Sequence, residues 1–323
     1  MTDHLHEASL ETLRPHVSTI QPDDLMAEAG RRIMLRQFIQ ILEHEAGAVE
    51  GEDIEGVHDM RVATRRIRST LRLLENSYKP KTVRGLTRSL RKIARALGAV
   101  RDLDVLIAEI GKYAGKLKDD QPQTAALTAL LETLHQERAV ARYDLIRLLD
   151  KGEYRRFVED FSAFLLVENA GTRALDDEQA VMAQVRYALP PMIYQHLGAV
   201  RAYDAVLPDA EDEALHALRI EFKRLRYVTS LFDDVLGSQI DDFNKELVKF
   251  QDHLGRMQDI VTAHGQIERL SADLPDELRD GLAPYLAALD AEHVKLREDL
   301  PALWKKFNAK PVMGKLGAAV AAL

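Results

Sequence analysis

Residues 57–78 read VHDMRVATRRIRSTLRLLENSY, five arginines and a histidine against only Asp59 and Glu75. A helix turns about 100° per residue, so with His58 at 0° the side chains of Arg61, Arg65, Arg68 and Arg72 fall at about 300°, 340°, 280° and 320°. Met60, Ala63, Ile67, Leu71 and Leu74 take the opposite arc, about 140–220°. The stretch is an amphipathic helix. One side belongs in a core, and the other carries a cationic ladder about 21 Å long at about 1.5 Å rise per residue.

The ladder stands out against the rest of the chain. The 323 residues carry a net charge of −8. From His58 to Arg95 there are twelve Lys and Arg and two acids, so this segment holds +10 and the remainder −18. A basic site within an acidic shell admits an anion at one place and repels it elsewhere. The next segment continues the pattern: Lys81, Arg84, Arg88, Arg91 and Arg95 are spaced by 3, 4, 3 and 4 residues. Solvated helix faces mix signs, because like charges one turn apart destabilise a helix by a few tenths of a kcal/mol. Cations stacked over consecutive helices make sense if a polyanion lies along them. Arginine suits that role, since its planar fork offers two parallel donors to a phosphate and keeps its charge.

The pattern occurs twice. LHALRIEFKRLRYVTSLFDDVL, from Leu215, repeats the first stretch 158 residues later. His58 falls on His216, Arg61 on Arg219, Arg65 on Lys223, Arg66 on Arg224 and Arg68 on Arg226. The following segment repeats at an offset of 157, with Arg88 on Lys245, Lys92 on Lys249, Gly98 on Gly255 and Asp102 on Asp259. Asp241 and Asp252 stand where Arg84 and Arg95 would be, which weakens the second copy. Composition favours helix throughout, and alternating β-branched runs are scarce. The expected fold is all-α, with two bundles of antiparallel helices related by a pseudo-twofold axis. The expected layout is a loosely docked lead-in over 1–23, a domain over 24–310 with halves at 24–165 and 178–310, and a tail over 311–323. Within it, a helix over 25–48 is capped by Asp23 or Asp24, Gly98 ends or bends the third helix, and LREDLP, from Leu296, breaks the last one.

VHDMRVATRRIRSTLRLL, LHALRIEFKRLRY and LGAVRDLDV together resemble the CHAD family, the α-helical domain named for its conserved histidines. The resemblance spans roughly residues 24–310. It implies two four-helix bundles about a basic central channel or groove, and binding of inorganic polyphosphate at cytoplasmic polyphosphate granules. Carried over by position, the motif histidines are His58 and His216. The motif cations are Arg61, Arg65, Arg66, Arg68, Arg219, Lys223, Arg224 and Arg226, with Arg88, Arg91, Lys92, Lys245 and Lys249 on the next helices. The ladders add Arg72, Arg84 and Arg95.

Other chemistry finds less support. The absence of cysteine removes disulfides, thiolate metal sites and thiol catalysis, and fits a reducing cytoplasm. The N-terminus lacks a secretory pattern, and no apolar run approaches the roughly 18 residues of a membrane span. Asp102 and Asp104 do not share a helix face, so Asp102 is expected to cap a helix or orient an arginine. His4, His6 and His16 have no fixed metal geometry. Hydrolysis of polyphosphate would need a carboxylate-held metal to activate water, and the ladders contain almost no carboxylate. Binding without turnover is the expectation, with no metal or cofactor. A nucleic-acid binder is the second reading, disfavoured because only Tyr227 offers a stacking ring in the ladders. A polyphosphate-processing enzyme, or a metal chelator acting through the two histidines, ranks below it. A homo-oligomer is left open.

Overall fold

The structure is a computed structural model and describes residues 2–51, 54–118, 122–207 and 210–323, with 2–6 as backbone only. Three stretches that read as loops or breaks by their acidic, Gly- and Pro-containing composition, VEGEDIEG from Val49, KDDQPQ from Lys118 and LPDAEDE from Leu207, lie partly outside these residues. Among the described residues all regular structure is helical, apart from two isolated bridges, Leu25–Gln184 and Tyr78–Thr172. The first half holds α1 (Thr2–Leu13), α2 (Met26–Glu50), α3 (Ile54–Leu73), α4 (Pro80–Ala114), α5 (Pro122–Leu149) and α6 (Gly152–Leu166). The second holds α7 (Asp177–Met182), α8 (Val185–Arg201), α9 (Asp212–Leu231), α10 (Asp233–Leu236), α11 (Gln239–Ser271), α12 (Asp276–Asp280), α13 (Ala283–Phe307) and α14 (Lys310–Ala321).

The order of packing repeats between the halves. α2 lies on α3, α3 on α4 and α4 on α5, with α6 against α2 and α4. Likewise α8 lies on α9, α9 on α11, and α11 on both α13 and α14. The halves meet where α3 packs on α9. Each half follows from apolar stripes at helical spacing, as in Val57, Met60, Ala63, Ile67 and Leu71 of α3, all buried. One apolar core runs through both halves and includes Phe38, Phe161, Phe222 and Phe250. A second, separate core joins the distal parts of α4 and α11 to α5 and α13, around Ile110, Leu130, Ile267 and Tyr285.

α2 and α3 touch backbone to backbone. A Cβ on Gly56 would lie 2.5 Å from the Gly47 carbonyl carbon and 2.7 Å from Ala48 N, so only glycine permits this crossing. It fixes the first turn of α3 at Gly56, two residues before His58.

Beneath the 167–172 loop sits a buried ion pair. Arg31 Nε donates to Glu28 Oε2 at 2.8 Å, and Arg31 Nη1 donates to the Leu165 carbonyl. The same Glu28 oxygen accepts from Asn169 N at 2.8 Å. Their side chains are only 6% and 7% exposed, so these donors and acceptors have no water to fall back on.

Several sequence expectations change. The lead-in is not loose: α1 packs on α2 and α6, and Leu13 is fully buried. The tail is α14, which buries Val312, Leu316 and Ala319 against α11. Neither Asp23 nor Asp24 caps α2. Its N-cap is Leu25, and Met26 N donates to the Ala183 carbonyl at 2.9 Å, while Asp24 pairs with Arg32 at 3.1 Å. Gly98 does not end its helix, because Leu97, Val100 and Leu103 continue the buried stripe of α4. α13 runs through Pro301, held by buried Leu300, Trp304 and Phe307. That burial offsets the roughly 3 kcal/mol a proline costs inside a helix.

Candidate functional site

Where α3 crosses α9, with α4 and α11 on the flanks, the chain encloses a cavity of about 690 Å³. α3 contributes His58, Arg61, Arg65 and Arg66, and α9 contributes Arg219, Lys223 and Arg226. These seven are the predicted site residues that the fold brings together, from both repeats. Arg101 and Arg256 join them, together with Asp102, Glu109, Asp252 and Asp259. Carboxylates therefore do line the site, contrary to the sequence expectation.

The repeat survives in the side-chain geometry. Arg61 Nη2 donates to Asp102 Oδ1 at 3.3 Å, and Arg219 lies 4.0 Å from Asp259. Asp102 thus orients an arginine, one of the two roles foreseen for it. A Cβ on Gly98 would touch Arg61 Nε at 3.9 Å, and one on Gly255 would touch Arg219 Nε at 3.7 Å, so the repeated glycines lie under the repeated arginines. Asp104 faces elsewhere: it is buried and accepts from Arg138.

The histidines are not equivalent. His58 lines the cavity, and its Nδ1 is buried without a hydrogen-bond partner. His216 is exposed at the margin, with Nδ1 2.5 Å from Gln258 Oε1. Ligand atoms of Glu55, His58 and Asp59 approach within 4.8 Å of one another, as their spacing on one helical turn dictates. Of the N-terminal histidines, His16 is exposed, and the side chains of His4 and His6 lie outside the described residues.

The remaining predicted residues fall outside the cavity, in two groups. Arg68 and Arg72 run on along α3 beside Arg91, and Arg84 and Arg88 are exposed on α4. Among the described residues no carboxylate pairs with these five. The second group is neutralised locally. Arg224 pairs with Glu221 at 2.6 Å, Lys245 with Asp242 at 2.9 Å, Lys249 with Glu246 at 2.7 Å and Lys92 with Glu153 at 3.0 Å. Lys92 and Arg95 line a separate groove between α4 and α5. The continuous ladders expected from periodicity thus resolve into one cavity, one exposed run of free cations in the first half, and cations paired with carboxylates, Lys92 in the first half and Arg224, Lys245 and Lys249 in the second.

The electrostatics separate two kinds of arginine. Those paired with carboxylates are strengthened as cations: Arg256, on the cavity wall, is held well above its usual range by Glu292 and Glu109, and the structural Arg31 by Glu28. Three cations at the α3/α9 crossing are weakened. Burial lowers Arg219, with Arg65 adding to it, and lowers Arg66, with Arg65 and Arg226 adding. Burial also pulls Lys223 down to about 8, helped by Arg219, Arg65 and Arg61 and opposed by Asp259. Asp102 is raised by burial and by Asp259, against Arg61. A cavity lined by mutually repelling cations favours an anion.

Lys223 gives this a measurable form. A fall from 10.5 to about 8 costs the charged form about 3 kcal/mol, reduced to about 1–2 kcal/mol by solvent screening at a partly exposed group. Below about pH 8 the burden is fully present. Above it the folded chain sheds this proton first, the unfolded chain holds more protons, and stability rises with pH towards 10.5. Lys223→Met should therefore be more stable than the natural chain in urea at pH 7, by about 1–2 kcal/mol, with the advantage gone near pH 10.5. A difference that ignores pH would show that Lys223 is not under this strain.

Comparison with known proteins now has a geometry to meet. The sequence profile of the CHAD domain matches residues 32–268, which includes all four walls of the cavity. This chain belongs to the CHAD family. Two uncharacterized Mycobacterium tuberculosis proteins are each 25% identical to this CHAD protein over 292 residues, covering 84% of it and 55% of their own length. The chain thus spans about half the length of these curated relatives. Among solved structures, the crystal structure of the CHAD domain from the plant Ricinus communis superimposes with a TM-score of 0.65, at 23% identity and 95% coverage of both chains. PptA from Streptomyces chartreusis gives 0.67 at 15% identity, covering 87% of this chain and 100% of that one. Both share the all-α CHAD fold seen here. Among the described residues no helix is long and apolar enough to cross a membrane.

Proposed function

We infer that this CHAD protein binds inorganic polyphosphate in the α3/α9 cavity and along the exposed cations of α3 and α4, without turning it over. The observation that carries this is the convergence of cations from both repeats: Arg66, Arg219 and Lys223 are weakened by burial, Arg65 adds repulsion to all three, and a bound anion relieves that cost. The free run of Arg68, Arg72, Arg84, Arg88 and Arg91 extends the positive surface beyond the cavity, which suits a chain of phosphates better than a single one. Three of the four lining carboxylates speak against metal-assisted hydrolysis. Asp102 and Asp259 face Arg61 and Arg219, Glu109 is held by Arg256, and a carboxylate committed to an arginine is a poor metal ligand, which leaves Asp252 alone as a donor. Nucleic acid fits less well, since Tyr227 is the one aromatic ring lining the cavity. On this reading the protein belongs with polyphosphate granules in the cytoplasm.

Competition among long-chain polyphosphate, short-chain polyphosphate and single-stranded RNA for the full chain tests the assignment. RNA displacing polyphosphate at equal phosphate concentration would overturn it. The salt dependence tests the mechanism. With several phosphates neutralised, the logarithm of affinity should fall against the logarithm of salt with a slope of about −4 or steeper. A flat line would rule out the cation array as the binding surface.

A further inference from the structure

We propose that Lys223 is an acylation site, acylated by small acyl phosphates that dock through their phosphate in the same cavity. The proposal rests on the phosphate-binding reading for the docking step alone. Lys223 lines the cavity, with Arg61 and Arg65 acting on it from α3, Arg219 from its own helix, Asp259 from α11, and Asp102 on α4 paired with Arg61. Among the described residues no carboxylate pairs with its amine and no hydrogen bond holds it, unlike Lys92, Lys245 and Lys249. The cavity of about 690 Å³ leaves room for a small ester beside the amine.

An acyl phosphate carries a phosphate, which arginine forks grip, and a carbonyl carbon one oxygen away. Gripped by Arg61, Arg65 or Arg219, it sets that carbon against Lys223 Nζ, and the holding groups supply the proximity. The neutral amine attacks the carbonyl carbon, a C–N bond forms, the C–O bond to phosphorus breaks, and inorganic phosphate leaves. The proton released from nitrogen passes to the phosphate or to water. No oxidant or other co-reactant is needed. The neutral amine is available because its ammonium form is lowered to about 8, so about half is neutral at pH 8, against under about 1% for an ordinary lysine. Acylation removes one of the central charges and fills part of the cavity, so it would also weaken polyphosphate binding.

The test compares two acyl donors on the full chain: acetyl phosphate, and the phosphate-free N-hydroxysuccinimide acetate. Each lysine is quantified by peptide mass spectrometry between pH 7 and 9.5. With acetyl phosphate at pH 7.5, Lys223 should react at least about tenfold faster than Lys245, and its rate should level off above about pH 8. Tripolyphosphate should suppress this labelling by occupying the cavity and competing for the arginines that dock the donor. Arg61→Gln should lower labelling by acetyl phosphate more than labelling by the succinimide ester, because only the first donor needs docking. If Lys223 is no more reactive than Lys245, or if the two donors give the same Lys223 to Lys245 ratio, the proposal falls. Failure of polyphosphate binding is read separately by the competition assay, so either idea can fail without the other.

Discussion

Arg65→Glu combined with Lys223→Glu should abolish polyphosphate binding, by at least about 100-fold, while the helical content stays unchanged. The two residues are repeat partners that face one cavity from α3 and α9. A hydrogen bond to a charged group contributes roughly 1.5–3 kcal/mol, so two lost contacts account for about 100-fold or more. Reversal adds repulsion on top. Arg155→Glu with Arg156→Glu is the control: these residues lie on α6, away from the cavity, where Arg155 faces Asp150 at 3.6 Å. Two further pairs ask whether the halves are equal. Arg88→Glu with Arg91→Glu should weaken binding more than Lys245→Glu with Lys249→Glu, because the latter two already sit on Asp242 and Glu246. Affinity measured by titration on all four pairs decides the matter. Equal losses everywhere would mean diffuse attraction by charge, with no defined site.

Arg31→Leu should cost about 3–5 kcal/mol of stability and leave polyphosphate affinity per folded molecule unchanged. The replacement strands the Glu28 carboxylate in a buried place and removes the donor that holds the Leu165 carbonyl. It also loosens the loop that Glu28 ties down through Asn169 N and that pairs with Tyr78 through Thr172. Glu28→Leu with Arg31→Leu should recover part of the loss, since no uncompensated charge remains. Urea denaturation of the two variants checks the order. A single replacement as stable as the natural chain would show that this pair contributes nothing.

How far the fold could be read from sequence differs from element to element. The two faces of α3 were legible because 3.6-residue periodicity is local: Val57, Met60 and Ile67 are buried while Arg65, Arg68 and Arg72 are exposed. The repeat aligned Arg61 with Arg219 and Asp102 with Asp259, and the fold sets each arginine beside its aspartate. What periodicity lacks is the identity of a helix's neighbours. Glu109 and Arg256 meet across 147 residues, and no spacing rule connects them. Arg66 entered through the repeat and the resemblance but not through the ladder, lying about 100° from Arg65 on the wheel, and it still lines the cavity at the crossing with α9. Gly98 and Pro301 misled for a different reason: local helix-breaking tendency was outweighed by apolar burial on either side. The self-pairing of Lys245 and Lys249 was visible as i, i+3 acids, Asp242 and Glu246, and went unweighed beside the repeat.

The two cores have a consequence for rates. α4 and α11 are gripped above the cavity by the larger core and below it by the smaller one, whose Leu106 and Ala263 form part of the cavity wall. Walls pinned on both sides have little room to breathe. A ligand then meets a slot already in its final shape, and little ordering entropy is spent on capture. Encounter would be governed by long-range attraction and would slow as ionic strength rises. Departure would proceed one phosphate at a time, each freed unit staying within reach of the site it has left, so residence time would lengthen with every phosphate held.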